Sequence, residues 1–284
     1  MKRTIFLHTT TLTVLAFFAL AACQAWAAIP LSQPSGVAVD SQGNIYVANS
    51  GTNQILVYDV NRVQQSNKTI SAGLAHPSGL AFDSNGNLWV ANYGQTGYDS
   101  SVTEYNSKGQ QNTHATITSN LQFTLGIAVD SMNNIWASNN YSTVTQYSPF
   151  GTYLGSSTPG FNIWSIATRG KWYAVATTNE CVAYSTGEVL RNAVTSYLRF
   201  PTQGRVGAVG FDSTGNFYVY QSTGEVDYVN PNSEVATAFT QMGSDFQVTG
   251  IAVDNAHSRV YLSSYNNSQI YVYTTAGVYV GMIA

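Results

Sequence analysis

A six-bladed, all-β propeller with four antiparallel strands per blade is the fold this sequence predicts, and three observations predict it. The phrase PSGVAVDSQGNIYVAN at 34–49 returns as PSGLAFDSNGNLWVAN at 77–92. Looser copies follow at 125–140, 164–178, 207–222 and 249–264. Each copy is written in short apolar or β-branched runs separated by Asp, Asn and Gly, and no long helical periodicity intervenes. A repeat of about 40–45 residues holding four short strands is the signature of a propeller blade.

The first copy shows the grammar. Residues 37–39 form a short apolar run suited to an inner strand buried on both faces. Residues 40–44, DSQGN, are a turn in which Asp accepts backbone N–H groups ahead of it and Gly takes the positive φ. Residues 45–48, IYVA, form a second strand rich in β-branched and aromatic side chains. Residues 49–53 turn again, 55–58 form the third strand, and a weaker polar strand is expected around Thr69 and Ile70. Ala38, Ala81, Ala128 and Ala252 keep the inner strands small where blades crowd at the axis.

Aligned on the turn aspartate, the copies fall at Asp40, Asp83, Asp130, Thr168, Asp212 and Asp254, with gaps of 43, 47, 38, 44 and 42 residues. The fourth copy is degraded, with Thr168 at the aspartate position. The aspartates read as turn anchors, not as a catalytic carboxylate array. The sixth copy contains four strands of its own within 250–283, so the ring is expected to close by packing blade 6 on blade 1.

The stretch PSGVAVDSQGNIYVANSGTNQILVYD at 34–59 resembles the NHL repeat, whose pattern is a G-I-A-V-D strand, a D-x-x-G-N turn, a Y-V-A-D strand and an N-x-x-I strand. The likeness is close in blades 1, 2, 3, 5 and 6 and loose in blade 4. One departure is systematic: the Asp ending the family's second strand is Asn49, Asn92 and Asn139 here, which lowers the negative charge of that rim. The wider six-bladed superfamily includes gluconolactonase-like, strictosidine-synthase-like and streptogramin-lyase-like enzymes. The first hold an axial divalent metal through Glu, Asn and Asp, and the last use His with acidic residues. Neither pattern transfers residue by residue.

Residues 1–27 read as a signal peptide: Lys2 and Arg3, an apolar stretch to Leu20, then Ala25-Trp26-Ala27 as a cleavage site. Residues 28–284 would be the propeller, exported to the periplasm or the extracellular space. A second reading overlaps the first, because Leu20-Ala21-Ala22-Cys23 resembles a bacterial lipobox and would place a lipid anchor on Cys23. No later stretch approaches the roughly 20 apolar residues of a transmembrane span. Cleavage after Ala27 leaves 257 residues with 9 basic and 14 acidic side chains. That balance, without a basic cluster, argues against nucleic acid as a partner. Cys181, in an alternating strand-like run, reads as a small buried apolar residue.

Function is expected on the face carrying the loops before each inner strand and those joining second to third strands. The residues proposed to bind there are Asn92, Tyr93, Asn140, Tyr141, Trp164, Tyr265 and Asn266, with 92–100 of blade 2 as the longest wall. Amides, hydroxyls and aromatic faces suit a neutral polar ligand such as a glycan, or a protein partner. Of the four histidines only His76 falls on this face; His8 lies in the signal, His114 on an outer strand and His257 in an opposite-face turn. Glu180 and Glu225 are the best-placed acids, and neither sits in a motif that matches the family's. No catalytic residue, metal ligand or cofactor is assigned. The leading reading is a non-enzymatic binding propeller, and the alternative is a metal-dependent hydrolase or lyase.

Overall fold

The computed structural model describes residues 28–139, 142–158, 162–169, 172–177, 180–185, 198–201, 206–230, 235–243 and 245–284. Its strands form six antiparallel sheets, each made of consecutive strands. Blade 1 holds β1 (Pro34–Val39), β2 (Ile45–Asn49) and β3 (Gln54–Tyr58); blade 2 holds β4 (Pro77–Phe82), β5 (Leu88–Asn92), β6 (Ser101–Tyr105) and β7 (Gln111–Ile117). Blade 3 runs β8 (Ile127–Val129), β9 (Ile135–Asn139), β10 (Thr143–Tyr147) and β11 (Tyr153–Ser157). Blade 4 runs β12 (Ile163–Arg169), β13 (Trp172–Thr177), β14 (Glu180–Ser185) and β15 (Leu198–Pro201). Blade 5 comprises β16 (Val206–Phe211), β17 (Phe217–Gln221), β18 (Glu225–Asn230) and β19 (Val235–Gln241); blade 6 comprises β20 (Val248–Asp254), β21 (Arg259–Ser264), β22 (Gln269–Thr274) and β23 (Tyr279–Ile283). The inner strands touch in the cycle β1, β4, β8, β12, β16, β20 and back to β1, which makes the ring six-fold and closed.

The core is divided. Six apolar clusters alternate with the blades, and each draws its side chains from two neighbours. The cluster between blades 6 and 1, for example, joins Val37, Val47 and Leu56 to Tyr261, Ile270 and Val272. Cys181 is buried in the cluster between blades 4 and 5, as the alternation predicts.

Close approach at the axis explains the G of the repeated phrase. A Cβ on Gly36 would lie 2.8 Å from the Ser78 carbonyl oxygen, and one on Gly79 would lie 2.9 Å from the Ile127 nitrogen. Both contacts are to backbone of the next blade, so no side-chain rotation relieves them.

The aspartates act as turn anchors. Asp40 Oδ1 accepts the N–H groups of Gln42 and Asn44, each at 2.9 Å, and Asp83, Asp130 and Asp212 repeat the arrangement two and four residues ahead. The second carboxylate oxygen is used as well: the indole N–H groups of Trp89 and Trp136 donate to Asp83 and Asp130. In blade 6 the turn is longer, and Asp254 holds His257 through its ring nitrogen at 2.7 Å.

Two expectations need correction. Blade 1 has three strands, and its fourth is reduced to the bridges Ile55–Ile70 and Tyr58–Gln64. The polar run 59–69 turns twice, at Arg62 (φ 68°) and in the 3-10 turn Ser66–Lys68, and so cannot extend. Gln64 uses its side-chain amide to pair with the backbone N–H and carbonyl of Ile29. In blade 4, Arg169 pairs with Trp172 across a short hairpin, so Arg169 and not Thr168 takes the aspartate position. Thr168 instead donates its hydroxyl to the Val129 carbonyl at 2.7 Å. Blade 6 does carry four strands and closes on blade 1, where Thr249 and Ser263 donate hydroxyl protons to the Ser35 carbonyl.

Candidate functional site

Five of the six inner strands begin with an irregularity: two residues of the first strand oppose one of the second, as between Pro34 and Val37 or Val248 and Gly250. The extra residue of such a bulge leaves the ladder and is re-aimed. Register places Ser35, Ser78, Leu125, Trp164, Gly207 and Thr249 at the equivalent position of the six blades. All six line one cavity of about 770 Å³. Its floor is therefore a ring with one residue from every blade, centred on the axis, and it carries no charge.

The walls come from the two loop sets. Gln33, His76 and Phe246 precede inner strands, while Ser50, Tyr93, Ser222, Tyr265 and Asn266 follow second strands. Neighbouring loops are tied by backbone: Tyr93 N–H donates to the His76 carbonyl at 3.1 Å, and Tyr265 N–H to the Gln247 carbonyl at 3.0 Å. Gln33 and His76 adopt positive φ, 50° and 47°. Such conformations are uncommon outside glycine and gather at functional sites. Here the preceding blade holds them, Ser268 Oγ accepting from Gln33 N–H and Asn53 Oδ1 from His76 N–H.

His76 Nδ1 lies 3.0 Å from the Gly94 carbonyl oxygen. A carbonyl only accepts, so in the neutral ring the proton sits on Nδ1 and Nε2 carries the lone pair. Tyr220 donates its phenol to the Phe246 carbonyl, and burial raises that phenol above its usual pKa, so it stays protonated and fixes the loop. Phe246 packs edge-on against Tyr271, with ring centres 5.1 Å apart.

Four of the seven residues picked from sequence line this cavity: Tyr93, Trp164, Tyr265 and Asn266. Asn140 and Tyr141 lie outside the described residues. Asn92 does not reach the cavity; it is fully buried, accepting from Ala75 N–H and donating to Thr103 Oγ1. Asn49 and Asn139 do the same work, each accepting a backbone N–H with Oδ1 and donating to a backbone carbonyl with Nδ2. An aspartate could not supply that donor, which gives the Asn-for-Asp departure a structural reason.

The long loop of blade 2 is internally braced. Asp99 accepts from the N–H groups of Gln95 and Thr96, each at 2.9 Å, and those bonds hold its carboxyl down at about 2. Ser100 Oγ donates to the carbonyls of Tyr93 and Gly97. Tyr93 and Tyr98 both pack on Phe123, at 5.8 and 4.8 Å. Tyr98 faces away from the cavity, toward a second, mostly polar groove of about 540 Å³ beside blade 3.

Sequence reasoning missed Asp245, the one carboxylate among the described residues that line the cavity. It directly precedes Phe246 in a loop of the right set, and that neighbour was its only signal. Glu225 is not among the lining residues, and the side chain of Glu180 lies outside the described set. Among the described residues no group of three or more His, Cys, Asp or Glu side chains converges. Among the described lining residues, His76 and Asp245 are the imidazole and the carboxylate.

Residues 31–58 match the family described as "NHL repeat". No curated protein sequence matches the chain. Among solved structures it is similar to one titled "Streptogramin B lyase structure", with a TM-score of 0.65 and 14% identity over 89% of this chain and 83% of that one. At that identity the likeness is one of fold. The chain is a six-bladed β-propeller whose first blade matches the NHL-repeat family.

Proposed function

We propose that this protein is an exported binding propeller whose working surface is the axial cavity. The observation that supports this reading most is the break in symmetry at one position. The turn aspartates recur in five of six blades, whereas the floor ring reads Ser, Ser, Leu, Trp, Gly, Thr. A volume of about 770 Å³ suits a small molecule or the tip of a partner's loop. Aromatic and hydroxyl groups on its wall supply apolar contact and orientation together.

The test is a titration panel of glycans and small metabolites against the purified chain, followed by Tyr265→Ala and Trp164→Ala. Hits should weaken at least tenfold in both variants and be unchanged in His114→Ala, an exposed outer-strand site. Hits that bind all variants equally would remove the cavity from consideration. Export is part of the same reading: intact mass from the native host should begin at Ala28, and a lipidated Cys23 start would establish the anchored form instead.

One observation favours a second reading, catalysis in the same cavity. His76 is held by Gly94 in the tautomer that leaves Nε2 basic, and Asp245 shares the wall. Turnover of streptogramin B or simple lactones that disappears in His76→Gln would move the assignment to a lyase or hydrolase.

A further inference from the structure

Among the described residues the cavity wall carries the aromatic side chains of Tyr93, Trp164, Phe246 and Tyr265, with Tyr220 buried behind them, and one carboxylate, Asp245. Aromatic faces bear the negative end of a quadrupole and attract cations, most strongly where water is excluded. A single carboxylate beside them supplies the matching charge, while Ser35, Ser78 and Thr249 below give their hydroxyl protons to backbone carbonyls and leave only oxygens to accept, which does not oppose a cation.

The aromatic rings are also preorganised. Tyr93 is packed on Phe123, Phe246 on Tyr271, and Tyr220 is fixed through its hydroxyl to the Phe246 carbonyl. Rings already held in place lose little entropy when a ligand enters.

We infer that the cavity takes a ligand bearing an ammonium group, with the aromatic wall around the cationic head and Asp245 as its counter-charge. This deepens the binding reading and rests on it. It replaces the neutral ligand expected from composition, because the carboxylate on this face was not legible there.

The probes are tetramethylammonium, choline and benzyltrimethylammonium, each measured by calorimetry, with 3,3-dimethylbutan-1-ol as the uncharged isostere of choline. Choline should bind at least tenfold more tightly than its isostere. Asp245→Asn, at an exposed position, should weaken choline roughly five- to tenfold and leave the isostere unchanged. Tyr265→Ala should weaken every cation. Equal binding of choline and its isostere, or no binding of any cation up to 10 mM on the order of metabolite-site affinities, overturns the inference. Those results leave the cavity itself standing if neutral panel hits still depend on Trp164 and Tyr265. Cation binding that survives both Asp245→Asn and Tyr265→Ala overturns the inference too, by placing the site elsewhere.

Discussion

The two ends of the inner strands obey different rules. At one end stand Asp40, Asp83, Asp130, Arg169, Asp212 and Asp254, nearly uniform; at the other stand Ser35, Ser78, Leu125, Trp164, Gly207 and Thr249, nearly unrelated. The uniform end closes hairpins, a task set mainly by each blade's own turn and met in nearly the same way in blades 1, 2, 3 and 5. The varied end faces a cavity that all six blades share, where each residue meets different neighbours. Repetition therefore marks what a blade needs for itself, and its loss marks what the ring does together.

Breaking the uniform end should cost the most. Asp130 is buried and accepts four hydrogen bonds, from the N–H groups of Met132 and Asn134, the Asn134 amide and the Trp136 indole. Asp130→Ala should lower stability by about 3 kcal/mol, since it strands buried donors. Urea melts measure the loss, and the folded fraction should bind cavity ligands normally. Changing the varied end should have the opposite profile. Leu125→Ser makes blade 3 match blades 1 and 2, and it should cost under about 1 kcal/mol while altering ligand affinity. A melt and a choline titration on the same sample separate these effects.

The smallest effect concerns Asp99, which braces a cavity-face loop from an exposed position. Its folded pKa, about 2, lies below the ordinary aspartate value of 3.8. The bracing is thus complete above about pH 4 and is lost as pH falls toward 2. The Tyr98–Phe123 ring contact, followed by NMR, should persist to about pH 3 and loosen below it. Loosening at pH 5 would show that something other than Asp99 holds the loop.

What could be read from the sequence follows the same division. Blade number, strand order and the role of the aspartates were legible because a turn imposes its residues locally. The floor ring was not, because Ser, Leu, Gly and Thr at a bulge carry no pattern, and only Trp164 was bulky enough to be noticed. Asn92 was misplaced because an amide at a strand end has the same appearance whether it faces a ligand or clamps a loop. The slip from Thr168 to Arg169 came from a shortened hairpin, which only strand pairing exposes. The missing fourth strand of blade 1 had a polar sequence that extended or turning backbone fits equally.

The seam between blades 6 and 1 has a consequence for how the chain folds. The hydroxyl of Ser35 reaches a blade 2 carbonyl 42 residues away, whereas Thr249 reaches back 214 residues to the Ser35 carbonyl. Closing a loop five times longer costs only about 1.4 kcal/mol more, because the penalty grows with the logarithm of length. Its timing is less forgiving. Five blade interfaces assemble between neighbours as soon as both are present, but the sixth waits for the last residues of the chain. Until then β1 and β20 each present an apolar flank to solvent, so this seam is the last to form and the natural first place for the ring to open.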